Sequence, residues 1–310
     1  MKESLYYGKI LLFGEYGIIQ DSMGLSIPYN FYKGKFEISD NPSEKEFKSN
    51  LELRKYLEHL KQLNTSGELM AALDLSAFEK DLDTGMHFDS TIPQGFGVGS
   101  SGALVAAIYG KYAFEKQETS ELSNQGILKL KTELGQMESY FHGKSSGLDP
   151  LICYLNLPIL IKSKEELESV GLPEQGEGKG AIFLLNSGNP GKTQPMVNIF
   201  LEKCKEEGFR NMLKKQFKKY NDACIEAFLK KDLTPLLLNV KKLSKVALEH
   251  FQPMIPGSIE DVWKEGIKSN AYYLKLCGSG GGGFILGFTK DIDLAKEKLS
   301  NYQLDVIHRF

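Results

Sequence analysis

The stretch PQGFGVGSSGALVAAIYG, Pro93–Gly110, places four glycines and a Ser-Ser pair in front of a run of apolar residues. The alternating segment before it, MHFDSTIP, is typical of a strand, whereas ALVAAIYG is typical of a buried helix. The glycines therefore lie at a predicted strand-to-helix junction. Because glycine loses the most conformational freedom on folding, a dense cluster indicates a sharp bend or a close approach of the backbone to another group.

A helix that begins in this way offers a binding site for a phosphate group. Its first N–H groups have no partner within the helix, and the positive end of the helix dipole favours an anion. Ser100 and Ser101 add hydroxyl groups, one of which is suited to Mg²⁺. The P-loop signature is absent, because no Gly-Lys-Ser/Thr follows at the required spacing, and the Rossmann pattern fails as well. A purely structural turn stays the alternative at this point.

A second loop with candidate chemistry is ESYFHGKSSGLDP, which follows another predicted helix. Glu138 lies near the end of that helix, and Asp149 follows a Ser-Ser-Gly turn. Two carboxylates around a tight loop can divide the work of phosphoryl transfer, one binding Mg²⁺ and the other accepting the proton of an alcohol. The alternative is that Asp149 caps the next helix and Glu138 is a surface charge.

Two further stretches lie near the ends of the chain. The beginning, YYGKILLFGEYGIIQD, predicts a strand, a turn and a second strand. Lys9 enters the first of these, where a lysine either reaches the edge of the sheet or supplies a fixed positive charge. Near the other end, KLCGSGGGGF has four consecutive glycines, Gly280–Gly283, which exceed what a tight hairpin needs. This pattern favours a close approach of the backbone to a ligand.

Composition excludes several classes of protein. The chain has 38 Lys and Arg against 40 Asp and Glu, a net charge of -2, which disfavours nucleic acid and anionic membranes as partners. Its four cysteines are far apart and form no CxxC pair, so neither zinc nor disulfides are indicated. No segment approaches the roughly 20 apolar residues of a membrane span. We therefore expect a cytoplasmic protein that binds neither nucleic acid nor membrane.

The composition changes beyond Gly171, where LPEQGEGKG is polar and rich in glycine. The following segment, AIFLLNSGNPGKT, begins like a new buried strand that runs into a loop. We predict two domains, residues 1–175 and 176–310, and an α+β architecture in which helices pack on one face of a sheet.

Taken together, KILLFGEY, PQGFGVGSSGALVAA, HGKSSGLDP and KLCGSGGGGF resemble the sequence motifs of the GHMP small-molecule kinases. The resemblance runs from Lys9 to about Phe288. It implies an N-terminal α+β domain and a C-terminal ferredoxin-like domain, with ATP and substrate in the cleft between them. The spacing E-x-x-x-H-G-x-x-S-G-x-D, Glu138 to Asp149, most resembles that of the mevalonate kinases. This implies ATP-dependent phosphorylation of the alcohol of mevalonate, a step of isoprenoid precursor synthesis.

The resemblance also implies roles for individual residues. Asp149 would act as the catalytic base, Lys9 would favour the ionised forms around it, and Ser101 and Glu138 would bind Mg²⁺. The residues expected to bind ATP lie in the two glycine-rich loops: Gly95, Gly97, Gly99, Ser100, Ser101, Gly102, Gly280 and Gly281. The residues expected to contact the substrate lie in separate loops: Glu15, Tyr16, Ser146, Thr193 and Gly282.

Two departures from the family pattern leave the acceptor open. Tyr16 stands where the family usually has histidine, and the loop Asn186–Thr193 does not have the family's usual Lys and Arg around Pro190, retaining only Thr193 of that pattern. Lys144 or Lys192 could instead supply the charge for a carboxylate. A kinase of phosphomevalonate, a sugar or a related small alcohol therefore stays open, as does a non-catalytic relative that binds a nucleotide or metabolite. The expected partners are ATP, Mg²⁺ and a small alcohol, and a homodimer is left open.

Overall fold

The computed structural model describes residues 4–116 and 123–310, which form two compact units. The first unit comprises the described residues up to Lys9 together with Pro28–Pro93 and Gly99–Leu157. The second comprises Ile10–Ile27, Gln94–Val98 and Pro158–Phe310. The chain thus passes between the units several times, and the domain boundary at residues 175–176 stays a prediction.

Two helices of the first unit begin at side chains that satisfy one of their first N–H groups. At the start of the helix Glu44–Thr65, the Ser43 hydroxyl accepts from the Glu46 N–H while the Glu46 carboxylate accepts from the Ser43 N–H, which is a capping box. At the start of the helix Leu75–Asp83, the Asp74 carboxylate accepts from the Ala77 N–H. The helices of this unit are α1 (Glu44–Thr65), α2 (Leu75–Asp83), α3 (Ser100–Tyr112), α4 (Asn124–His142) and α5 (Leu148–Leu155).

Helix α3 is the buried helix predicted behind the glycine cluster. Its residues Val105–Ile108 are all inaccessible to solvent, as is expected for a helix that is apolar on every side. It packs against α4 and α5 in the first unit. Its apolar character does not make it a membrane span, because none of the helices in the described part of the chain has both the length and the hydropathy for one.

Five strands form the first sheet. They are β1 (Tyr6–Phe13), β2 (Gly24–Ile38), β3 (Met86–Ser90), β4 (Ile159–Ile161) and β5 (Leu167–Ser169). The strand order is β1-β2-β4-β5, and β3 pairs with β2. The long strand β2 is antiparallel to both of its later partners, with Leu25 opposite Leu160 and Phe36 opposite Phe88.

The prediction of a second strand directly after the first turn is wrong. Residues Gly17–Gln20 form a short 3-10 helix, and β2 starts only at Gly24. The backbone turns here because Gly14 has φ +104° and Tyr16 has φ +59°, both outside the extended region. The N–H of Ile18 donates to the carbonyl of Gly14 at 3.0 Å, so this segment bonds to itself rather than to a neighbouring strand.

The second unit contains a four-stranded antiparallel sheet in the order β7-β8-β6-β9. Its strands are β6 (Ala181–Asn186), β7 (Tyr273–Leu276), β8 (Phe284–Thr289) and β9 (Leu304–Arg309). Its helices are α6 (Thr193–Lys203), α7 (Glu207–Met212), α8 (Lys218–Leu229), α9 (Leu233–His250), α10 (Gly257–Ser269) and α11 (Ile292–Lys298). Helices α6–α10 connect β6 to β7, and α11 connects β8 to β9. This is the βαββαβ order of a ferredoxin-like fold, and the predicted α+β class is confirmed.

Candidate active site

Lys9 and Asp149 form an ion pair in the first unit. Strand β1 carries Lys9, and Asp149 lies in the first turn of α5. The distance between Lys9 Nζ and Asp149 Oδ2 is 2.8 Å, and the side chains are 4% and 41% exposed, respectively. The ammonium group is thus fixed inside the protein, whereas the carboxylate it faces is accessible to a ligand.

Ser101 and Glu138 form a second polar pair in the same unit. Ser101 is the second residue of α3, and Glu138 lies near the end of α4. Ser101 Oγ donates to Glu138 Oε1 at 2.9 Å. Glu138 is only 3% exposed, so it is not the surface charge that the sequence left open. Burial, with a further contribution from the negative charge of Asp149, raises the pKa of Glu138 to about 7. Hydrogen bonds from Ser145 and Ser101 and the charge of Lys9 act in the opposite direction.

The chemistry of these two oxygens fits a magnesium ion. Mg²⁺ prefers oxygen ligands, and Ser101 and Glu138 offer a hydroxyl and a carboxylate oxygen side by side. Among the described residues, no group of three or more His, Cys, Asp and Glu side chains is arranged to hold a metal. Two protein ligands are nevertheless typical of Mg²⁺, which usually takes one or two carboxylates and completes its shell with substrate phosphates and water.

Glycines at the start of α3 allow close packing around both pairs. Gly99 precedes the helix with φ +82°, and a Cβ there would lie 2.9 Å from Lys9 Cγ. A Cβ on Gly102 would lie 2.9 Å from the backbone carbonyl carbon of Asp149. No side chain caps α3, so its first N–H groups are not bound by a capping residue. Ser100 is the first residue of the helix and is partly exposed.

Asp149 does not cap α5. The residue preceding the helix is Gly147, with φ +74°, and no side chain makes a capping hydrogen bond there. Asp149 lies two positions further on, in the first turn, where a carboxylate interacts favourably with the helix dipole. Ser146, predicted to contact the substrate, is exposed directly before Gly147.

In the second unit, the four-glycine run packs against other backbone segments. A Cβ on Gly280 would lie 2.5 Å from the Met254 carbonyl oxygen, and one on Gly283 would lie 2.6 Å from Phe96 Cα. Gly283 N–H also donates to the carbonyl of Asn189 at 2.6 Å. These contacts within the protein already require glycine, so the binding of a ligand by Gly280, Gly281 and Gly282 stays a prediction.

Three more predicted site residues lie in the second unit, as the four-glycine run does. Gly95, with φ +79°, accepts a hydrogen bond from the Gly191 N–H at 2.8 Å. Gly97, with φ +78°, would place a Cβ 2.7 Å from the Cys277 carbonyl oxygen. Thr193 is the exposed first residue of α6. Their roles toward ATP and substrate stay predictions.

The Glu15–Tyr16 turn of the second unit is held by buried partners. Glu15 Oε2 lies 2.7 Å from the ammonium nitrogen of Lys275, and both side chains are buried. Burial raises the pKa of Glu15, and the charge of Lys275 opposes this rise. The Tyr16 hydroxyl donates to the Ser279 carbonyl at 2.6 Å, and its ring stacks on Phe200 at 4.5 Å.

We expect Lys275→Met to reduce stability by about 3–5 kcal/mol near pH 8, because it leaves a buried carboxylate without its counter-charge. A carboxyl whose pKa is raised on folding contributes stability that is fully present below the ordinary value of about 4.3 and is lost as the pH rises through the raised value. The loss should therefore be smaller at pH 5 than at pH 8. Urea unfolding at both pH values measures it.

The matched control is Lys264→Met, which breaks an exposed pair with Glu260 on α10. We expect a change of about 0.5 kcal/mol or less for this control. An equal loss of stability for Lys275→Met at pH 5 and pH 8 would show that Glu15 does not titrate as its burial requires.

Sequence reasoning missed two residues that contact the Ser101–Glu138 pair. His142 Nε2 lies 3.0 Å from Ser101 Oγ, and Ser145 Oγ donates to Glu138 Oε2 at 2.5 Å. Because Ser101 donates its own proton to Glu138, the geometry requires the His142 tautomer that carries hydrogen on Nε2. Burial lowers the pKa of His142, which favours the neutral ring. The spacing of Glu138 and His142 places them on one helical face, a signal available in the sequence.

Residues 61–156 match a family model described as the N-terminal domain of GHMP kinases. This part of the chain thus matches the N-terminal domain of the GHMP kinases, a class of small-molecule kinases. The predicted family is thereby confirmed. No curated protein sequence matches the chain significantly.

Solved structures of several family members share the fold over nearly the whole chain. A mevalonate kinase from L. major, in complex with R-mevalonate, is 16% identical with a TM-score of 0.65, and the match covers 97% of this chain and 90% of that one. A Streptococcus pneumoniae phosphomevalonate kinase, in complex with phosphomevalonate and AMPPNP, is 13% identical with a TM-score of 0.66, covering 99% and 100%. A Lactococcus lactis galactokinase complexed with galactose is 12% identical with a TM-score of 0.63, covering 98% and 92%. Identities this low support a common fold and leave the acceptor unspecified.

Proposed function

We propose that this protein transfers the terminal phosphoryl group of ATP to the alcohol of mevalonate. The observation that carries the proposal is the presence, in one compact unit, of the Lys9–Asp149 ion pair and the Ser101–Glu138 pair. The match to the family model supports the reaction class. The choice of mevalonate rests on the resemblance of the Glu138–Asp149 motif to mevalonate kinases.

In this proposal Asp149 accepts the proton of the alcohol as the oxygen attacks phosphorus. Its partly exposed carboxylate can reach a ligand, whereas Lys9 is buried and holds it from one side. The adjacent ammonium group stabilises the negative charge that develops on the alcohol oxygen. A base positioned in this way typically contributes a factor of about 10²–10⁴ to the rate.

Phosphate binding is assigned to the segment Gly95–Gly102 and to Gly280 and Gly281. The uncapped first turn of α3 presents N–H groups, and the hydroxyl of Ser100 adds a further donor. Ser101 and Glu138 would hold Mg²⁺, which when bound neutralises charge on the phosphate oxygens. The N–H and hydroxyl donors of the protein would then stabilise the transferred phosphoryl group while they hold it in line with the acceptor.

Contacts to the acceptor are assigned to the remaining predicted residues. Ser146 and Thr193 are exposed and offer hydroxyl groups. Glu15 and Tyr16 are buried and would shape the site through the turn that they form. Gly282 would contribute through its backbone.

A panel of acceptors tests the proposal. The protein is incubated with Mg·ATP and, separately, with mevalonate, phosphomevalonate, galactose and homoserine, and the release of ADP is measured. We expect mevalonate to give a kcat/KM at least about 10²-fold above that of the other acceptors. A site that forms hydrogen bonds to the polar groups of its substrate discriminates strongly against compounds that lack those groups. Absence of turnover with mevalonate, together with activity on another alcohol, would contradict the narrow assignment.

The second candidate is a family kinase with a different small acceptor, and the geometry of Tyr16 favours it. The Tyr16 hydroxyl is already bonded to the Ser279 carbonyl, and its ring is stacked on Phe200. Tyrosine carries no positive charge, and the hydroxyl proton of Tyr16 is already donated to Ser279, so Tyr16 does not supply the charge that histidine could offer to the carboxylate of mevalonate. The same acceptor panel separates the two candidates.

A further inference from the structure

Ser145 lies in the connection between α4 and α5 and makes three hydrogen bonds. Its Oγ donates to Glu138 Oε2 at 2.5 Å and accepts from the Gly147 N–H at 3.0 Å. Its own N–H donates to Ser139 Oγ at 3.1 Å. The hydroxyl therefore joins the end of one helix, through Glu138, to the residue that precedes the next helix.

The first consequence concerns the orientation of Glu138. A glutamate side chain has several rotatable bonds, and fixing it costs conformational entropy. Ser145 binds Oε2, and this leaves Oε1 facing Ser101 Oγ at 2.9 Å. The two oxygens that fit a magnesium ion are thus aligned partly by a hydroxyl that would not itself be a ligand.

The second consequence concerns the connection that leads to Asp149. Gly147 has φ +74°, and a Cβ there would overlap with the Lys131 carbonyl oxygen of α4. The Gly147 carbonyl accepts from the Leu151 N–H at 3.2 Å, which begins the hydrogen bonding of α5. Ser145 thereby bonds to both Glu138 and the start of the helix that carries Asp149.

We propose that Ser145 is a positioning residue for the metal-binding pair Ser101–Glu138, acting through the Oε2 atom of Glu138. This inference rests on the proposed function, because it assumes that the pair binds Mg²⁺ with a nucleotide. Partners that orient a metal ligand typically change metal affinity about 10–100-fold when they are removed.

The test is isothermal titration calorimetry with AMPPNP, in the presence of Mg²⁺ and again in the presence of EDTA. For Ser145→Ala we expect Mg·AMPPNP to bind at least about tenfold more weakly, with affinity for metal-free AMPPNP unchanged. Ser145→Thr keeps the hydroxyl and should restore most of the lost affinity. Thr132→Ala is the matched control, because Thr132 is exposed on the same helix and its hydroxyl donates to the Leu128 carbonyl.

Two outcomes overturn the role of Ser145. One is a Ser145→Ala protein that keeps the full Mg²⁺-dependent affinity, and the other is an equal loss of affinity with and without Mg²⁺, which indicates general disruption. If Ser145→Ala does not fold, Ser145→Cys replaces it in the titration. The thiol is similar in size to the hydroxyl but is a much weaker hydrogen-bond donor. Wild-type Mg²⁺-dependent affinity in Ser145→Cys would also overturn the role.

Glu138→Gln distinguishes failure of this inference from failure of the proposed metal site. If Glu138→Gln loses Mg²⁺-dependent affinity and Ser145→Ala does not, only the positioning role is wrong. If Glu138→Gln has no effect either, the metal site of the proposed function is wrong, and the role of Ser145 falls with it.

Discussion

Asp149→Asn is expected to lower kcat by about 10³-fold, while the affinity for Mg·ATP stays within about threefold of the wild-type value. The amide has nearly the same shape as the carboxylate, so the packing of Gly102 against residue 149 should persist. It does not accept the proton of an alcohol, however, and it no longer balances the charge of Lys9. Steady-state kinetics give kcat, and calorimetry gives nucleotide affinity.

The matched control is Asp89→Asn on β3, where the carboxylate lies 3.8 Å from an exposed lysine, Lys45. This variant should keep wild-type kcat, since exposed pairs contribute little. Unchanged turnover in Asp149→Asn would reject this residue as the base. A large loss of nucleotide affinity would instead assign Asp149 to binding.

Gly102→Val is expected to reduce stability by about 3 kcal/mol and to abolish most of the activity. The first added carbon would already lie 2.9 Å from the carbonyl carbon of Asp149 and from Pro150 N. Both are backbone atoms, so α3 and α5 must move apart to accept the side chain. That movement displaces the base and the start of α3 together. Thermal and urea unfolding measure the loss.

Gly208→Ala is the matched control for this prediction, because a Cβ at Gly208 in α7 would meet none of the described atoms within 4 Å beyond its chain neighbours and the backbone of its own helix. We expect it to leave stability unchanged or to raise it by up to about 1 kcal/mol, since alanine is the better helix former. A Gly102→Val protein with wild-type stability and kcat would show that α3 and α5 do not pack as closely as described.

The sequence located the main residues of the candidate site because each belongs to a local pattern. Lys9 interrupts an apolar strand, Ser101 follows a glycine cluster at a helix start, and Glu138 and Asp149 flank a glycine-bearing loop. These patterns are short-range, so they need no knowledge of the tertiary structure. That all four residues lie in one compact unit is a finding of the structure.

The partners of these residues were harder to predict. The contact of Ser145 with Glu138 depends on Gly143 and Gly147, both of which have positive φ values that the sequence permits but does not require. The Glu15–Lys275 pair joins residues at opposite ends of the chain, and no local pattern indicates which distant strand a buried glutamate faces. Both contacts follow from tertiary packing.

The glycine run near the C-terminus shows the limit of another inference. Its density suggested the close approach of a ligand, but Gly280 and Gly283 are also required by neighbouring backbone at Met254 and Phe96. A run of glycines predicts that another group lies close to the backbone. It does not predict whether that group is a ligand or another segment of the protein.

Phosphorus-31 NMR of the wild-type protein with Mg·ATP and mevalonate tests the proposed transfer most directly. We expect the signals of ATP to be replaced by those of ADP and by a new phosphomonoester signal of equal intensity, and we expect Asp149→Asn to form this signal about 10³-fold more slowly. Conversion of ATP to ADP and inorganic phosphate alone, or unchanged ATP with every acceptor of the panel, would contradict the proposal that this site transfers a phosphoryl group to an alcohol.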